Sequence, residues 1–466
     1  MKVSRRHVLK LAAAALASRG FAQQPPATPA IPAIPPATPT IGAADSVIGT
    51  GVEDNVVTVG MSADFSSPSA ARGIEAYRGT LAVFEEVNEQ GGIFDRRLQL
   101  LALDDGGDPV AAIENTLRLL EVEQVFCLSN YTDDMVIARV LPIVHNYRDA
   151  YLRMVGNLGG GLIQRRLPYV EQVYNVRAST LQATQQATEA LWQVGRRQVG
   201  VFYTANASGR VGQAGVVRAL AAYGAEPAAE ATHDPLLSRQ LRSSTGRIGR
   251  ADERVEDREA VLIRLRQEVN TAMQHLRTRS CDSIVCTTDP ETLRYFIAAV
   301  RDSGWDVPIV ATDLSDDTPA QLVALENAND APAGSYTRNF VAAFVLPFYR
   351  ERSFPGVNLY HQLLDKWNPD LPPGARSTYN VGRNNDGLEG TLNARVLVAG
   401  LRSAGANLTR ERFDNSLASI SDLDLGIAAP VSFVEGNRQG LSKIYYTAVA
   451  GSGWEMIPDA VSGLNL

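Results

Sequence analysis

The residues able to do chemistry are short polar groups placed after apolar, β-branched runs. Phe65, Ser66 and Ser67 follow Val56 to Met61; Ser129, Asn130, Tyr131 and Thr132 follow Gln124 to Leu128; Gly156 and Asn157 follow Ala150 to Val155. Farther on, Asn206 and Ser208, then Thr288 and Asp289, then Asp313 occupy the same place after later runs. Hydroxyls, amides and backbone N–H groups at helix N-termini suit a carboxylate, and an aspartate suits an ammonium. Tyr131, Thr132 and Asn157 fit the first task and Asp313 or Asp289 the second, with Ser66 and Ser208 as further polar contacts. Each has a structural reading beside it. Asp289 precedes Pro290 and would N-cap a helix, Asp313 is open to the same role, Thr132 leads into Asp133-Asp134, and Ser66 and Ser208 suit solvated loops.

Such groups capture a molecule; they do not transform one. Gly-x-Ser-x-Gly, His-Glu-x-x-His, Cys-x-x-Cys and P-loop patterns are absent, and the five histidines show no metal-ligand spacing. Gly159-Gly160-Gly161 lacks dinucleotide-binding spacing and reads as a flexible loop. Neither an enzyme nor a cofactor is expected. A twin-arginine-exported enzyme remains the rival class.

The elements that must position these residues alternate regularly. A strand at Val56 to Met61 leads through a loop to a helix from Gly73 to Gln90, with Tyr77, Leu81, Phe84 and Val87 at helical spacing and Gly91-Gly92 as its stop. A strand at Leu98 to Leu103, the turn Asp104 to Pro109 and a helix from about Val110 follow. Next come a strand at Gln124 to Leu128, a helix at Asp134 to Asn146 and a strand at Ala150 to Val155. The rhythm restarts with helix Gln182 to Val194, strand Gln198 to Tyr203, helix Gly212 to Tyr223, strand Asp282 to Thr287, helix Pro290 to Ser303 and strand Ile309 to Thr312. A long apolar helix spans Gly387 to Ala404, and a hairpin is expected between Val431 to Phe433 and Lys443 to Val449, turning at Glu435-Gly436-Asn437. This alternation implies parallel sheets covered by helices, an α/β protein. The globular part from about Val56 exceeds one typical core, so two lobes are expected.

The N-terminus sets the compartment. Arg5-Arg6 precede the apolar run Leu11 to Ala17, too short to span a bilayer, and Gly20-Phe21-Ala22 offers small residues for cleavage. Residues 1–22 read as a twin-arginine signal peptide directing export to the periplasm. Residues 23–54 are a Pro-rich extended tether. Composition is globular, 45% hydrophobic and 20% charged with net charge −7. Lysine occurs only at Lys2, Lys10, Lys366 and Lys443, and arginines alternate with acids, so no nucleic-acid footprint is present. Cys281 and Cys286 flank a strand about 16 Å long, too far apart for a bridge; with Cys127 they read as buried free thiols. Ser238 to Glu259 is rich in charge and reads as a solvated loop entering a helix that carries Leu262, Leu265, Val269, Met273 and Leu276 on one stripe.

Three segments resemble a known family. Val59-Gly60-Met61, Asn88-Glu89-Gln90-Gly91-Gly92-Ile93 and Asp104-Asp105-Gly106-Gly107-Asp108-Pro109 are similar to the opening of leucine/isoleucine/valine-type periplasmic solute-binding proteins. Tyr174 to Ser179, Leu388-Glu389-Gly390 and Leu408-Thr409-Arg410-Glu411 resemble later segments, in the family's order. The resemblance implies a type I binding-protein fold: two doubly wound lobes joined by a three-crossing hinge, with a small solute between them and a membrane permease of an ABC importer as partner. The crossings would fall near Arg177–Ala178, Ala343–Leu346 and Asp424–Ala428. Lobe one would hold 55–177 with 346–425, and lobe two 178–345 with 426–466, in a monomer. A sensor feeding a membrane signalling protein would use the same fold. Where the family places an aromatic before Gly, this chain has Ser208-Gly209, and the loop of Thr288 and Asp289 also lacks one. A polar solute such as an amino acid or amide is expected.

Overall fold

The computed structural model describes residues 51–52, 55–242, 258–312, 314–434 and 436–465. The twin-arginine segment, the Pro-rich tether, Asp313, Glu435 and positions 243–257 of the charged insertion lie outside the described residues.

β-branched runs bury both faces and make the strands; amphipathic stretches between them make the covering helices. The first unit runs β1 (Val56–Ala63), α1 (Ala71–Glu89), β2 (Arg97–Asp104), α2 (Pro109–Leu117), β3 (Cys127–Ser129), α3 (Asp134–Asn146), β4 (Met154–Val155) and β5 (Val173–Tyr174). The second runs α4 (Thr180–Gln193), β6 (Val199–Thr204), α5 (Ala207–Ala221), β7 (Ala229–His233), α6 (Pro235–Arg242), α7 (Arg258–Thr278), β8 (Ser283–Thr287), α8 (Pro290–Asp302), β9 (Ile309–Thr312), α9 (Thr318–Ala328) and β10 (Phe340–Phe344). The chain continues with α10 (Pro355–Trp367), α11 (Asn385–Ala404), α12 (Arg410–Ala418), β11 (Leu423–Asp424), β12 (Pro430–Val431), β13 (Tyr445–Ala450) and β14 (Gly453–Ile457).

Two parallel-dominated sheets result. One has the order β2-β1-β3-β4-β5; the other reads β14-β13-β10-β9-β8-β6-β7. Stripped of the antiparallel pair β13–β14, the second repeats the order of the first. Each sheet reverses direction beside its first strand, between β1 and β3 and between β6 and β8, and such switch points open a crevice beyond the strand carboxyl ends. The α/β expectation and the two doubly wound lobes are thus what the chain forms.

Several local expectations change. The hairpin expected around Glu435 does not form: Val431 pairs with Leu423, and β13 pairs instead with β14, where Ala450 opposes Gly453. Gly451 has φ +61° in that two-residue turn, a conformation that glycine adopts without a Cβ clash. The strand expected from Ala150 shrinks to Met154–Val155, because residues Arg148–Ala150 form a 3₁₀ turn. Helix α5 starts five residues early, since Asn206 accepts the Gly209 N–H at 2.9 Å and caps it. Ser238, assigned to a loop, lies buried in α6. The three cysteines are free and buried.

Helices α1 and α11 approach closely at their glycines, with the Thr80 and Thr391 hydroxyls donating across the contact to the Gly390 and Gly79 carbonyls at 3.1 Å each. A Cβ on Gly79 would lie 2.1 Å from the Gly387 carbonyl oxygen, and one on Gly390 2.3 Å from that of Ala76. This approach brings Arg72, at the start of α1, beside Asp386 and Glu389 on α11. After β12 the chain still runs against the first sheet, where Asn175 N donates to Arg438 O at 2.8 Å and Leu441 N to Val176 O at 2.9 Å. It re-enters the second sheet at Tyr445. No helix among the described residues is long and apolar enough to cross a membrane.

Candidate functional site

The carboxyl ends of both sheets face one cleft. Its first chamber, about 360 Å³, is lined by loops following β3, β4, β6, β7 and β8, with Thr132, Ser208 and Asp289 among their residues. Its second chamber, about 530 Å³, is lined by the loops after β9 and β10 and the first turn of α11. Arg72, Arg177, Thr180 and Pro290 line both, so the chambers adjoin. A hollow of about 660 Å³ beside Arg350, Arg352, His361 and Arg383 lies elsewhere, against α10 and away from the strand ends. Its Arg383 is already engaged by Asp365 and His361. The cleft, where two sheets converge, is the stronger site.

In the first chamber, Asp133 caps α3 by accepting the N–H groups of Met135 and Val136 at 2.7 and 3.2 Å, which leaves Asp134 free to face the cleft. Asp134 Oδ1 accepts the Gly161 N–H and its Oδ2 accepts the Ser208 hydroxyl, both at 2.9 Å. The second bond joins α3 of one lobe to α5 of the other. Gly159-Gly160-Gly161 is no flexible loop: a Cβ on Gly159 would lie 2.3 Å from Asp134 Oδ1 and one on Gly160 2.1 Å from the Thr180 hydroxyl. Arg165 holds the run from behind, donating to the Gly159 and Gly161 carbonyls. Burial, then the neighbouring Arg177 charge, brings the pKa of Arg165 down to about 9.

Behind the chamber, His233 is buried with Nδ1 3.2 Å from the Asp234 carbonyl, which can only accept. Nδ1 therefore carries the proton, and the Nε2 lone pair accepts from Thr288 at 2.6 Å, while the Thr204 hydroxyl, 2.9 Å from Nε2, donates to Thr288 at 3.3 Å. Burial holds the His233 pKa below its ordinary value, in keeping with a neutral ring.

The positions read from the sequence separate into two groups. Thr132, Ser208 and Asp289 line the first chamber together. Asp289 is also the cap of α8, accepting the Thr292 N–H at 3.0 Å and its hydroxyl at 2.9 Å, so its carboxylate is engaged within its own helix. Tyr131 and Asn157 do not reach the cleft. Both are fully buried: the Tyr131 hydroxyl lies 2.9 Å from that of Thr116 inside the first lobe, and Asn157 Oδ1 faces the Tyr131 N–H at 3.3 Å. Tyr131 follows a strand, but the loop turns its ring into the core, where its apolar area is better placed than in a polar cleft. Ser66 lines neither chamber; its N–H turns back to Asp64. Asp313 lies outside the described residues. The Asp104 to Pro109 motif is structural as well. Asp104 accepts the Phe65 N–H, Asp105 the Ser62 hydroxyl and Asp108 caps α2.

Sequence reasoning missed the charged residues of the second chamber. Arg72 Nε lies 3.2 Å from Asp386, and its Nη2 donates to the Leu158 carbonyl at 2.9 Å. Arg177 donates to the same carbonyl and lies 3.6 Å from Glu389. Asp316 Oδ2 accepts the Asn385 N–H at 3.0 Å, a second bond between the lobes. Burial first, then the Asp386 charge, lifts the Asp316 pKa to about 7. Glu389 is also raised, chiefly by burial. The signal was the Asn384 to Gly390 segment: Asn384 caps α11 and the two glycines bring it against α1, so the acids between them have one face left.

Residues 56–238 match the family described as periplasmic binding protein. A possible leucine/isoleucine/valine-binding protein from Rhodopirellula baltica SH 1 has a similar structure, with TM-score 0.65 and 21% identity over 88% of this chain and 98% of that one. This chain thus has the type I periplasmic binding protein fold. A fatty acid ABC transporter substrate-binding protein from Thermomonospora curvata also matches, with TM-score 0.65 and 18% identity over 88% and 93% of the two chains. So does an ABC transporter solute-binding protein from R. palustris in complex with benzoate, with TM-score 0.62 and 14% identity over 88% and 99%. No match was found among the curated proteins. The resemblance seen in the three opening segments is met by these findings. Proteins of this binding-protein fold are named for very different solutes, so the fold leaves chemical selectivity to the cleft.

Proposed function

We propose that the protein is the solute-capturing component of an ABC-type importer, exported through its twin-arginine segment to the periplasm, where it delivers a small polar solute to a membrane permease. The observation that carries this reading is the cleft between the two sheets, spanned by Ser208 to Asp134 at one chamber and Asn385 to Asp316 at the other. Both bonds join groups on different lobes. A solute that touches both lobes favours the conformation in which these bonds are made, and it shifts the equilibrium only by its differential affinity for that form. Thr132 and Ser208 are the sequence-read residues best placed to meet the solute. The solute is an amino acid, an amide or a related small compound with a polar head, the lobe-two wall being small and polar at Ser208 and Thr288.

The test is a solute screen on the mature protein. A cognate solute raises the melting temperature, by about 2.7 kcal/mol of added stability at a hundredfold excess over its Kd, and compacts the particle in small-angle scattering. Neither response from a broad panel of amino acids, amides, amines and carboxylates would remove the receptor reading.

A further inference from the structure

We propose, building on the receptor reading, that the solute is a cation, an ammonium group on an apolar body, and that the second chamber seats the ammonium against Glu389, Asp316 and Asp386.

The chamber's charged lining is Asp316, Asp317, Asp386 and Glu389 against Arg72 and Arg177. The two guanidiniums are turned to protein partners: both donate to the Leu158 carbonyl, and Arg72 pairs with Asp386. Asp317 is likewise occupied, accepting from Ser315 and Gln321 at 2.6 Å each. Glu389 differs from all of these. It is 4% exposed, it lines the chamber, and its Oε1 has no hydrogen-bond partner. Its other oxygen stands 3.6 Å from Arg177, beyond a hydrogen bond. Buried carboxylates are ordinarily satisfied by donors, and a carboxylate that stays unsatisfied while facing a cavity is one whose donor comes from outside the chain. An ammonium offers three donors and the compensating charge together.

The same chamber is also lined by Leu314, Phe344 and Leu346, which suits an apolar substituent. An anionic solute would bring a further negative charge beside Glu389 and leave Oε1 unmade. The geometry is therefore selective by charge, in a fold whose relatives include proteins named for a fatty acid and for benzoate.

The test compares isosteric probes that differ in the polar head alone: phenethylamine, phenethyl alcohol and hydrocinnamate, then isoamylamine, isoamyl alcohol and isocaproate. Thermal shift and calorimetry on the mature protein read each of them. The expected result is a rise in melting temperature with at least one amine and none with its alcohol or carboxylate. Glu389→Gln, whose own melting temperature and circular dichroism verify its fold, should weaken that amine about thirtyfold or more, the usual result of removing one partner of a buried charged contact. Asp316→Asn should weaken it less. Unchanged amine affinity in Glu389→Gln would overturn the assignment. A carboxylate or alcohol that binds where its amine does not would also overturn it while leaving the receptor reading intact. Silence to all six probes, with a response to other solutes, overturns the cationic class alone; silence to every solute removes both.

Discussion

Two of the buried carboxylate–guanidinium pairs among the described residues are built from the same chemistry and closed to different degrees. Arg153 grips Asp414 with two bonds, Nε to Oδ1 at 2.6 Å and Nη2 to Oδ2 at 2.7 Å, and the Tyr174 hydroxyl adds a third at 2.6 Å. Arg177 and Glu389 stand 3.6 Å apart with one carboxylate oxygen unmet. Burial raises the pKa of both acids. At Asp414 the hydrogen bonds from Arg153 and Tyr174 outweigh it and hold the carboxyl below its ordinary value, whereas at Glu389 burial wins. The first pair ties α12 to the residue before β4, within one lobe. The second faces the cleft. A pair that serves the scaffold can be closed; one that serves a solute has to keep a bond unmade, at some loss of stability.

The largest way to break this contrast is Asp414→Ala, which strands the buried Arg153. It should destabilise the fold by about 3–5 kcal/mol, measured by urea denaturation. Glu389→Gln should cost clearly less than that, because Oε1 has no hydrogen bond to lose and Arg177, 3.6 Å from the other oxygen, keeps its bond to the Leu158 carbonyl. An equal loss in both would show that the two pairs are energetically alike.

The pH dependence of stability should divide along the same line. Asp414 titrates below its unfolded value near 4, so its stabilisation is present above that value and is lost as pH falls through the lower folded pKa. Asp316 has its folded pKa raised to about 7, so the stability it contributes is full below about pH 4 and is lost as pH rises toward 7. The groups facing Asp316 are the Asp386 and Asp317 carboxylates, the Asn385 N–H and Arg350. Asp316→Asn should abolish a decline of about 3 kcal/mol between pH 4 and 7, read as melting temperature against pH. A wild-type profile that rises through this window would contradict the raised pKa.

Smaller still is the bond across the first chamber. Ser208→Ala removes the hydroxyl that reaches Asp134 and should weaken an identified solute about tenfold, the value of a hydrogen bond to a charged acceptor, with little change in stability without solute. Loss of stability with affinity intact would mean that the bond belongs to the scaffold.

How much of this could be read in advance depends on how local the cause is. The alternation of strands and helices was legible because each element carries its own period, and β9 appears at Ile309–Thr312 as read. Strand β7 and helices α9 and α10 were not read: Ala229–His233 is a short edge strand with two exposed residues, whose pairing with β6 is set by the sheet and not by its own pattern. The cleft was legible as a set of loops, since strand order places it. Which loop side chains face it was not. Tyr131 and Thr132 are neighbours, yet one enters the core and the other the chamber. Asn130 between Ser129 and Tyr131 has φ +56°, a left-handed conformation that asparagine tolerates better than most residues. Glu389 was quoted only as part of a motif, because its isolation depends on α1 closing against α11.

Tyr131 gives the last test. Its ring is packed among Leu119, Ile137, Val140 and Leu141, and its hydroxyl meets only Thr116, itself bonded to the Ala112 carbonyl at 2.6 Å. Tyr131→Phe keeps the ring and leaves Thr116 with that carbonyl, so no buried donor is orphaned. The loss should be about 1 kcal/mol in stability with solute affinity unchanged, measured by denaturation and calorimetry on the same preparation. A fall in affinity with stability intact would return Tyr131 to the cleft and would require the loop after β3 to turn the other way.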